Sequence, residues 1–134
     1  MMMPDAWSKR NKILPKSHQQ LFDILNSAIE PWDGPAAVCA TDSKWAIAAT
    51  DRNGLRPLRY SVTSDNIFCA GSETGMVQIP ESKILSKGRL GPGQIIGIKL
   101  DKGKVYHNTE IKNYLAKEYK HFSNQIIDLS LIHI

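Results

Sequence analysis

The fold is decided by residues 35–49, PAAVCATDSKWAIAA, in which two short apolar runs flank a turn at Asp42-Ser43. The runs Pro35–Ala40 and Trp45–Ala49 lack strict alternation, so they predict strands that are buried on both faces. Alanine is a poor strand former, and its abundance here indicates neighbours that approach too closely for larger side chains. A sheet packed on a second sheet, with helices outside, would bury both faces of such strands.

The flanking segments predict an α+β fold. A capping box at Ser17 and Gln20 opens a helix over residues 17–30, which Pro31 ends. A closing helix begins at Thr109. Further strands are predicted at residues 58–62, 66–70, 94–100 and 104–107, with a glycine-dense turn at 88–93 and a hairpin turn at 101–103. The predicted order is therefore helix, four to six antiparallel strands, helix.

Composition excludes several classes of protein. The 134 residues, 42% hydrophobic and 22% charged, suit one packed soluble domain. No apolar stretch approaches the roughly 20 residues of a membrane span, and no charged-then-apolar leader opens the chain. The formal charge is +4, but no block of basic residues predicts a nucleic-acid groove. We expect neither a membrane nor a nucleic acid as a partner.

The cysteines and histidines predict no metal site. Cys39 and Cys69 lie in apolar runs without a CxxC partner, so we expect both to be inert core side chains. The four histidines have no metal-ligand spacing. Because no disulfide scaffold is indicated, a reducing cytoplasmic location is predicted.

One loop carries more information than the rest. It is DRNGLRPLR, residues 51–59, which combines a tight Asn53-Gly54 turn with an extended exit at Arg56-Pro57. From the residues alone, a charged hairpin tip is favoured over a ligand-facing loop. In such a tip Asp51 would form an exposed ion pair with an arginine, at under about 1 kcal/mol.

Three stretches carry a family resemblance. DRNGLRPLRY (51–60), CAGSE (69–73) and KGRLGPGQIIGI (87–98) resemble the second half of a class II glutamine amidotransferase domain. Within that family, MMMPDAW (1–7) and IEPWDGPAA (29–37) resemble the large subunit of glutamate synthase. The resemblance covers about residues 1–115 and implies a four-layer αββα sandwich of the N-terminal-nucleophile type, present here in its second half only.

The resemblance implies an activity that this chain would not perform alone. In such enzymes an amino-terminal cysteine attacks the glutamine amide, its α-amino group acts as the base, and ammonia departs. A glutamate synthase then aminates 2-oxoglutarate reductively, with FMN, an iron–sulfur cluster and NADPH, NADH or ferredoxin as electron donor. The nucleophile, the H-N-G-E oxyanion segment and the substrate-gripping arginine would lie before Met1. We therefore expect no catalytic residue, metal or cofactor in this chain.

The resemblance leaves a supporting role for the polar loops. The residues expected to support the glutamine pocket from behind are Asp51, Arg52, Asn53, Gly54, Arg56, Pro57, Ser72 and Glu73. Residues 1–128 would be the partial domain and 129–134 a tail that is foreign to it. Its partners would be glutamine, the rest of the large subunit and a small subunit. Two alternatives are a stand-alone non-catalytic module and half of a phosphoribosylpyrophosphate-type amidotransferase.

Overall fold

A computed structural model of the chain describes residues 15–30 and 32–118, which divide into two compact units. The first unit holds the helices, and the second, Gly34–Asn108, holds the strands. The helices are α1 (Lys16–Ala28) and α2 (Asn108–Glu118), with one 3₁₀ turn at Glu81–Lys83. The strands are β1 (Ala37–Thr41), β2 (Trp45–Thr50), β3 (Arg59–Thr63), β4 (Phe68–Gly71), β5 (Ile84–Arg89), β6 (Ile95–Lys99) and β7 (Lys104–Tyr106). This order confirms the predicted α+β class.

Helix α1 confirms the first predicted helix but not its capping box. The N-cap is Pro15, whose carbonyl oxygen accepts the N–H groups of His18 and Gln19 at 3.0 and 3.1 Å. No side chain caps the helix, because Ser17 already lies within the first turn. The predicted capping box is therefore wrong, since the N-cap is Pro15, two residues before the predicted Ser17. Pro31, the predicted stop, lies outside the described residues.

Within the first unit, α1 and α2 contact each other through polar as well as apolar groups. The His18 imidazole Nε2 lies 2.6 Å from the Asn113 side-chain oxygen. The Lys112 ammonium lies 5.5 Å from the centre of the Phe22 ring, a cation–π distance. His18, Phe22 and Lys112 are all almost fully buried. The predicted closing helix is confirmed through Glu118.

The strands form two antiparallel sheets. Sheet A has four strands in the order β1-β2-β6-β7, and sheet B has three in the order β4-β3-β5. In sheet A, Ala48 of β2 pairs with Ile96 of β6, and Ala49 pairs with Ile95. Small residues thus oppose large ones across this ladder, which accounts for the abundance of alanine in β2.

The two sheets contribute to one hydrophobic core. Ala48 and Ile96 of sheet A form its centre, together with Leu58 and Leu90 beside sheet B. Partly buried side chains from both sheets pack against this centre: Tyr60, Phe68, Ala70 and Val105. Side chains from both sheets therefore share this cluster of buried residues.

Strand β1 departs from its predicted burial. It was expected to be buried on both faces, yet only Val38 of its five residues is even partly buried. The reason is its position, because β1 lies at the edge of sheet A and, among the described residues, pairs with β2 alone. Cys39 lies at the middle of β1 and is exposed, so the predicted core role of this cysteine is wrong. Cys69 in β4 is partly buried.

Strand β5 was missed by the sequence prediction. Residues Ile84–Arg89 form a strand, so Gly88 and Arg89 belong to sheet B and not to a turn. The Tyr60 ring covers Gly88, where an added Cβ would lie 2.7 Å from the tyrosine hydroxyl. The sequence ILSKGR shows neither an alternation of apolar residues nor a continuous apolar run, so its hydrophobic pattern does not predict a strand. The described residues hold seven strands rather than four to six.

Candidate functional site

The candidate site is a group of loops at one end of the two sheets. The segment after β2 crosses from sheet A to the start of β3 in sheet B. The Asp51 N–H donates to the Ala36 carbonyl oxygen at 2.8 Å, and the Leu90 N–H donates to that of Leu58 at 2.9 Å. In sheet B, Arg59 pairs with Gly71, so the segment after β4 leaves from the same end. Three loops therefore converge at this end.

Asp51 holds the first of these loops together. Its side chain is 1% exposed, and its carboxylate accepts backbone N–H groups from Asn53 (3.2 Å), Leu55 (3.1 and 3.3 Å) and Arg56 (3.4 Å). Burial favours the neutral acid, but the backbone hydrogen bonds together outweigh it and lower the pKa of Asp51. The ionised carboxylate thus fixes the backbone of residues 51–56 through these hydrogen bonds. The predicted exposed Asp51–arginine pair is wrong.

The turn at residues 91–94 is hydrogen-bonded to Thr50 and Asp51. The Asp51 carbonyl oxygen accepts the N–H of Gly54 at 3.0 Å and the N–H of Gly93 at 2.8 Å. The Thr50 hydroxyl donates to the Gly91 carbonyl oxygen at 2.6 Å. The two loops therefore form one hydrogen-bonded unit around Asp51.

Gly54 confirms the predicted tight turn and explains why glycine occupies it. Its φ of +64° lies in the left-handed region, which residues other than glycine rarely adopt. An added Cβ would also lie 2.9 Å from the Pro92 ring. Both the conformation and the contact with Pro92 therefore require glycine.

The remaining predicted residues are presented to solvent. Arg52 is partly buried, whereas Asn53, Arg56 and Pro57 are exposed on the loop that Asp51 fixes. Ser72 and Glu73 are exposed after β4, and the Ser72 hydroxyl lies 3.8 Å from the Met76 sulfur. Among the described residues, neither Ser72 nor Glu73 hydrogen-bonds to residues 51–57. The structure thus unites the first six predicted residues and leaves the last two as neighbours at the same sheet end.

Sequence reasoning missed the other half of this unit. Thr50, Gly91 and Gly93 fix the loop from the opposite side, yet the sequence analysis assigned residues 88–93 only to chain reversal. The available signal was Gly91-Pro92-Gly93, which combines turn-forming residues as Asn53-Gly54 and Arg56-Pro57 do. Pairing these rigid turns would have required knowledge of the sheet order.

The described parts of the chain hold no group of three or more His, Cys, Asp or Glu residues that could bind a metal ion. None of the helices described is long and apolar enough to cross a membrane.

The chain belongs to the class-II glutamine amidotransferases, whose family model matches residues 1–123. Within that family it is similar to glutamate synthases. It is 47% identical over 116 residues to the large chain of the NADPH glutamate synthase of Azospirillum brasilense, covering 87% of this chain and 8% of that protein. It is 43% identical over 118 residues to the chloroplastic ferredoxin-dependent glutamate synthase 2 of Arabidopsis thaliana, covering 87% and 7%. It is 39% identical over 119 residues to the large chain of the NADPH glutamate synthase of Bacillus subtilis, covering 89% of this chain and 8% of that protein.

These matches confirm the resemblance that the sequence motifs indicated. The chain spans less than a tenth of the length of these relatives. The relatives include enzymes named for NADPH and enzymes named for ferredoxin, so the matched region is shared by both kinds.

Proposed function

We propose that this chain is part of the glutamine amidotransferase domain of a glutamine-dependent glutamate synthase. That domain would hydrolyse glutamine to glutamate and ammonia, and the parent would use the ammonia to aminate 2-oxoglutarate reductively. The observation that carries this proposal is the similarity of nearly the whole chain to glutamate synthase large chains. We place the parent in the cytoplasm and its remaining large subunit and a small subunit among its partners.

The proposed architecture is the second half of a four-layer αββα sandwich, within residues 1–128. Its support is the single core to which sheets A and B both contribute, because two stacked antiparallel sheets are the centre of such a sandwich. The exposed edge strand β1 suits a sheet that continues in another part of the parent. Residues 129–134 would not belong to this domain.

The chain alone is proposed to be catalytically inactive. The family's nucleophile needs a cysteine whose own α-amino group is free to act as the base. Cys39 lies within β1 and Cys69 within β4, so the α-nitrogen of each is part of a peptide bond. FMN, the iron–sulfur cluster and the electron-donor site would belong to other parts of the parent.

The loop around Asp51 is proposed to support the glutamine pocket. One buried carboxylate fixes the backbone of residues 53–56, and this fixed backbone presents Asn53 and Arg56 at the end of the two sheets. A rigid backbone of this kind can hold neighbouring substrate-binding groups in position. Ser72 and Glu73 would extend the same support from the end of β4.

Parallel assays of the parent enzyme test this proposal. We expect Arg56→Ala to lower glutamine-dependent glutamate synthesis about tenfold or more, with the ammonia-dependent reaction retained. Lys102→Ala, an exposed change in the β6–β7 turn, is the matched control and should leave both reactions unchanged. Equal loss of both reactions in Arg56→Ala, or no loss of either, would contradict the supporting role.

A further inference from the structure

The sequence holds one Asn-Gly pair, Asn53-Gly54, and such a pair is chemically labile. In an unstructured chain the backbone nitrogen that follows an asparagine can attack the side-chain amide carbon, and glycine hinders this attack least because it has no side chain. The new N–C bond closes a five-membered succinimide ring, and the side-chain nitrogen leaves as ammonia with the proton of the backbone N–H. Water then opens the ring to aspartate or isoaspartate. The Asn53 side chain is exposed on its loop, so solvent reaches it.

The backbone around this pair adopts a turn of defined type. The Gly54 N–H donates to the Asp51 carbonyl oxygen at 3.0 Å, which closes a β-turn over residues 51–54. φ is positive at neither Arg52 nor Asn53, and none of the described peptide bonds is cis, so the turn is of type I. In a type I turn the third residue, here Asn53, has a ψ of about 0°.

This value of ψ keeps the two reacting atoms apart. At a ψ of about 0° the Gly54 nitrogen eclipses the Asn53 nitrogen, so the tetrahedral Cα places the Asn53 Cβ about 120° away around the Cα–C bond. Ring closure needs the Asn53 Cβ and the Gly54 nitrogen to eclipse each other instead. Because reacting groups must be aligned before a bond forms, the turn has to open before the attack.

Asp51 keeps this turn closed. Three successive N–H groups donate to it: that of Asn53 to the carboxylate at 3.2 Å, that of Gly54 to the carbonyl oxygen, and that of Leu55 to the carboxylate at 3.1 Å. The Gly54 nitrogen would have to give up its hydrogen bond before it could lose its proton to the leaving group. From this arrangement we infer that Asn53 is a latent deamidation site, which the hydrogen bonds to Asp51 hold unreactive in the folded chain.

The products of deamidation do not fit the same loop. Isoaspartate at position 53 carries the backbone through its side chain, which adds one carbon before Gly54, so the N–H groups of Gly54 and Leu55 would no longer meet Asp51. Aspartate at position 53 would place a second negative charge two residues from the buried Asp51 carboxylate. Modification would therefore weaken the hydrogen bonds that oppose it. The inference concerns this modification and does not depend on the reaction proposed for the parent.

Peptide mass spectrometry on the 134-residue chain measures the rate of deamidation at Asn53. The chain is incubated at mildly alkaline pH, either folded in buffer or unfolded in guanidinium chloride, and is then digested rapidly at low pH, where succinimides form slowly. Circular dichroism spectra establish which samples are folded. We expect Asn53 to deamidate at least about 30-fold more slowly in the folded chain, because the reaction requires local opening. Asn53→Gln, whose longer side chain would have to form a six-membered ring, should show no modification at this position over the same time.

Variants identify the source of the protection. Asp51→Asn, which keeps the size of the side chain but removes its charge and one acceptor, should speed modification of Asn53 in the folded chain at least about tenfold. The matched control is Asp65→Asn, which removes an exposed carboxylate paired with Lys83 and should leave the rate within about twofold of wild type. Fragment-ion masses distinguish a change at residue 53 from one at residue 51.

Two results would overturn the inference. One is that Asn53 deamidates as fast in the folded wild-type chain as in the unfolded chain, a comparison that needs no variant. The other is that Asp51→Asn, with an unchanged spectrum, modifies Asn53 no faster than wild type.

Discussion

Replacing Asp51 with asparagine tests how much the hydrogen bonds to the Asp51 carboxylate stabilise the candidate site. The Asp51 carboxylate accepts N–H groups from three residues, Asn53, Leu55 and Arg56. Asparagine has the same shape, but one of its two terminal groups donates hydrogen bonds and its charge is lost. At least one buried N–H would then face another donor. Hydrogen bonds to charged groups contribute about 1.5–3 kcal/mol each, and these are long at 3.1–3.4 Å, so the loss should be about 2–3 kcal/mol.

Hydrogen exchange measures this loss where it occurs. A loss of 2–3 kcal/mol should speed amide exchange about 30- to 150-fold in peptides that cover residues 51–58 and 90–94. Peptides from α1 should not change. The matched control is Asp65→Asn, whose carboxylate forms an ion pair with Lys83 at 2.9 Å while half-exposed, and which should alter exchange less than about fivefold. Unchanged exchange at both loops in Asp51→Asn would show that the Asp51 carboxylate does not stabilise them.

The same experiment has a pH signature. Because the pKa of Asp51 is lowered in the folded state, its ionised form stabilises the loop. This stabilisation should be complete above the unfolded-state pKa of about 4 and should be lost as the pH falls through the lower, folded-state pKa. The protection factors of the loop amides in wild type, which correct for the intrinsic pH dependence of exchange, should therefore fall below about pH 4, and those of Asp51→Asn should show a flatter profile. Identical profiles would contradict the assigned ionisation.

Three further results are expected. Gly54→Ala should destabilise its loop by about 1 kcal/mol more than Gly103→Ala destabilises the β6–β7 turn. Both glycines have a positive φ, but only at Gly54 would an added Cβ contact Pro92. Hydrogen exchange measures both effects, and equal effects would contradict this expectation. Cys39, exposed on β1, should react with a thiol reagent without denaturant, and protection until unfolding would show that β1 is covered. Because β1 is an apolar edge strand, we expect the chain to self-associate and to bind a hydrophobic dye, and Val38→Lys should reduce both; an unchanged light-scattering signal would exclude that edge as the contact.

Several elements followed from the sequence because local signals agreed with the fold. The 3.6-residue repeat of apolar residues placed α1, and the apolar run Trp45–Ala49 placed β2. The Asp101-Lys102-Gly103 turn was sufficient to place the hairpin of β6 and β7. In each case the period or the turn chemistry is a property of a few adjacent residues.

Other features depended on contacts that no local pattern encodes. The exposure of β1 follows from its edge position, although its sequence is as apolar as that of a central strand. β5 is polar and glycine-containing, and it is a strand because β3 offers it a partner and Tyr60 covers Gly88. Tertiary context overrides weak strand propensity in this way.

The candidate site shows the same division. The motif DRNGLRPLR identified the loop, and the Asn53-Gly54 turn was correctly predicted. The direction of the Asp51 side chain was not, because an aspartate beside three arginines suggests an ion pair. Only the folded chain shows that backbone N–H groups surround this carboxylate.

The central claim is that this chain forms part of a glutamine-hydrolysing domain whose bond-breaking group lies outside residues 1–134. The most direct measurement is release of ammonia from glutamine by the purified polypeptide, followed with a coupled assay and compared with buffer. We expect no release above buffer at any protein concentration. Release that increases with the amount of polypeptide and persists through chromatography would contradict the claim.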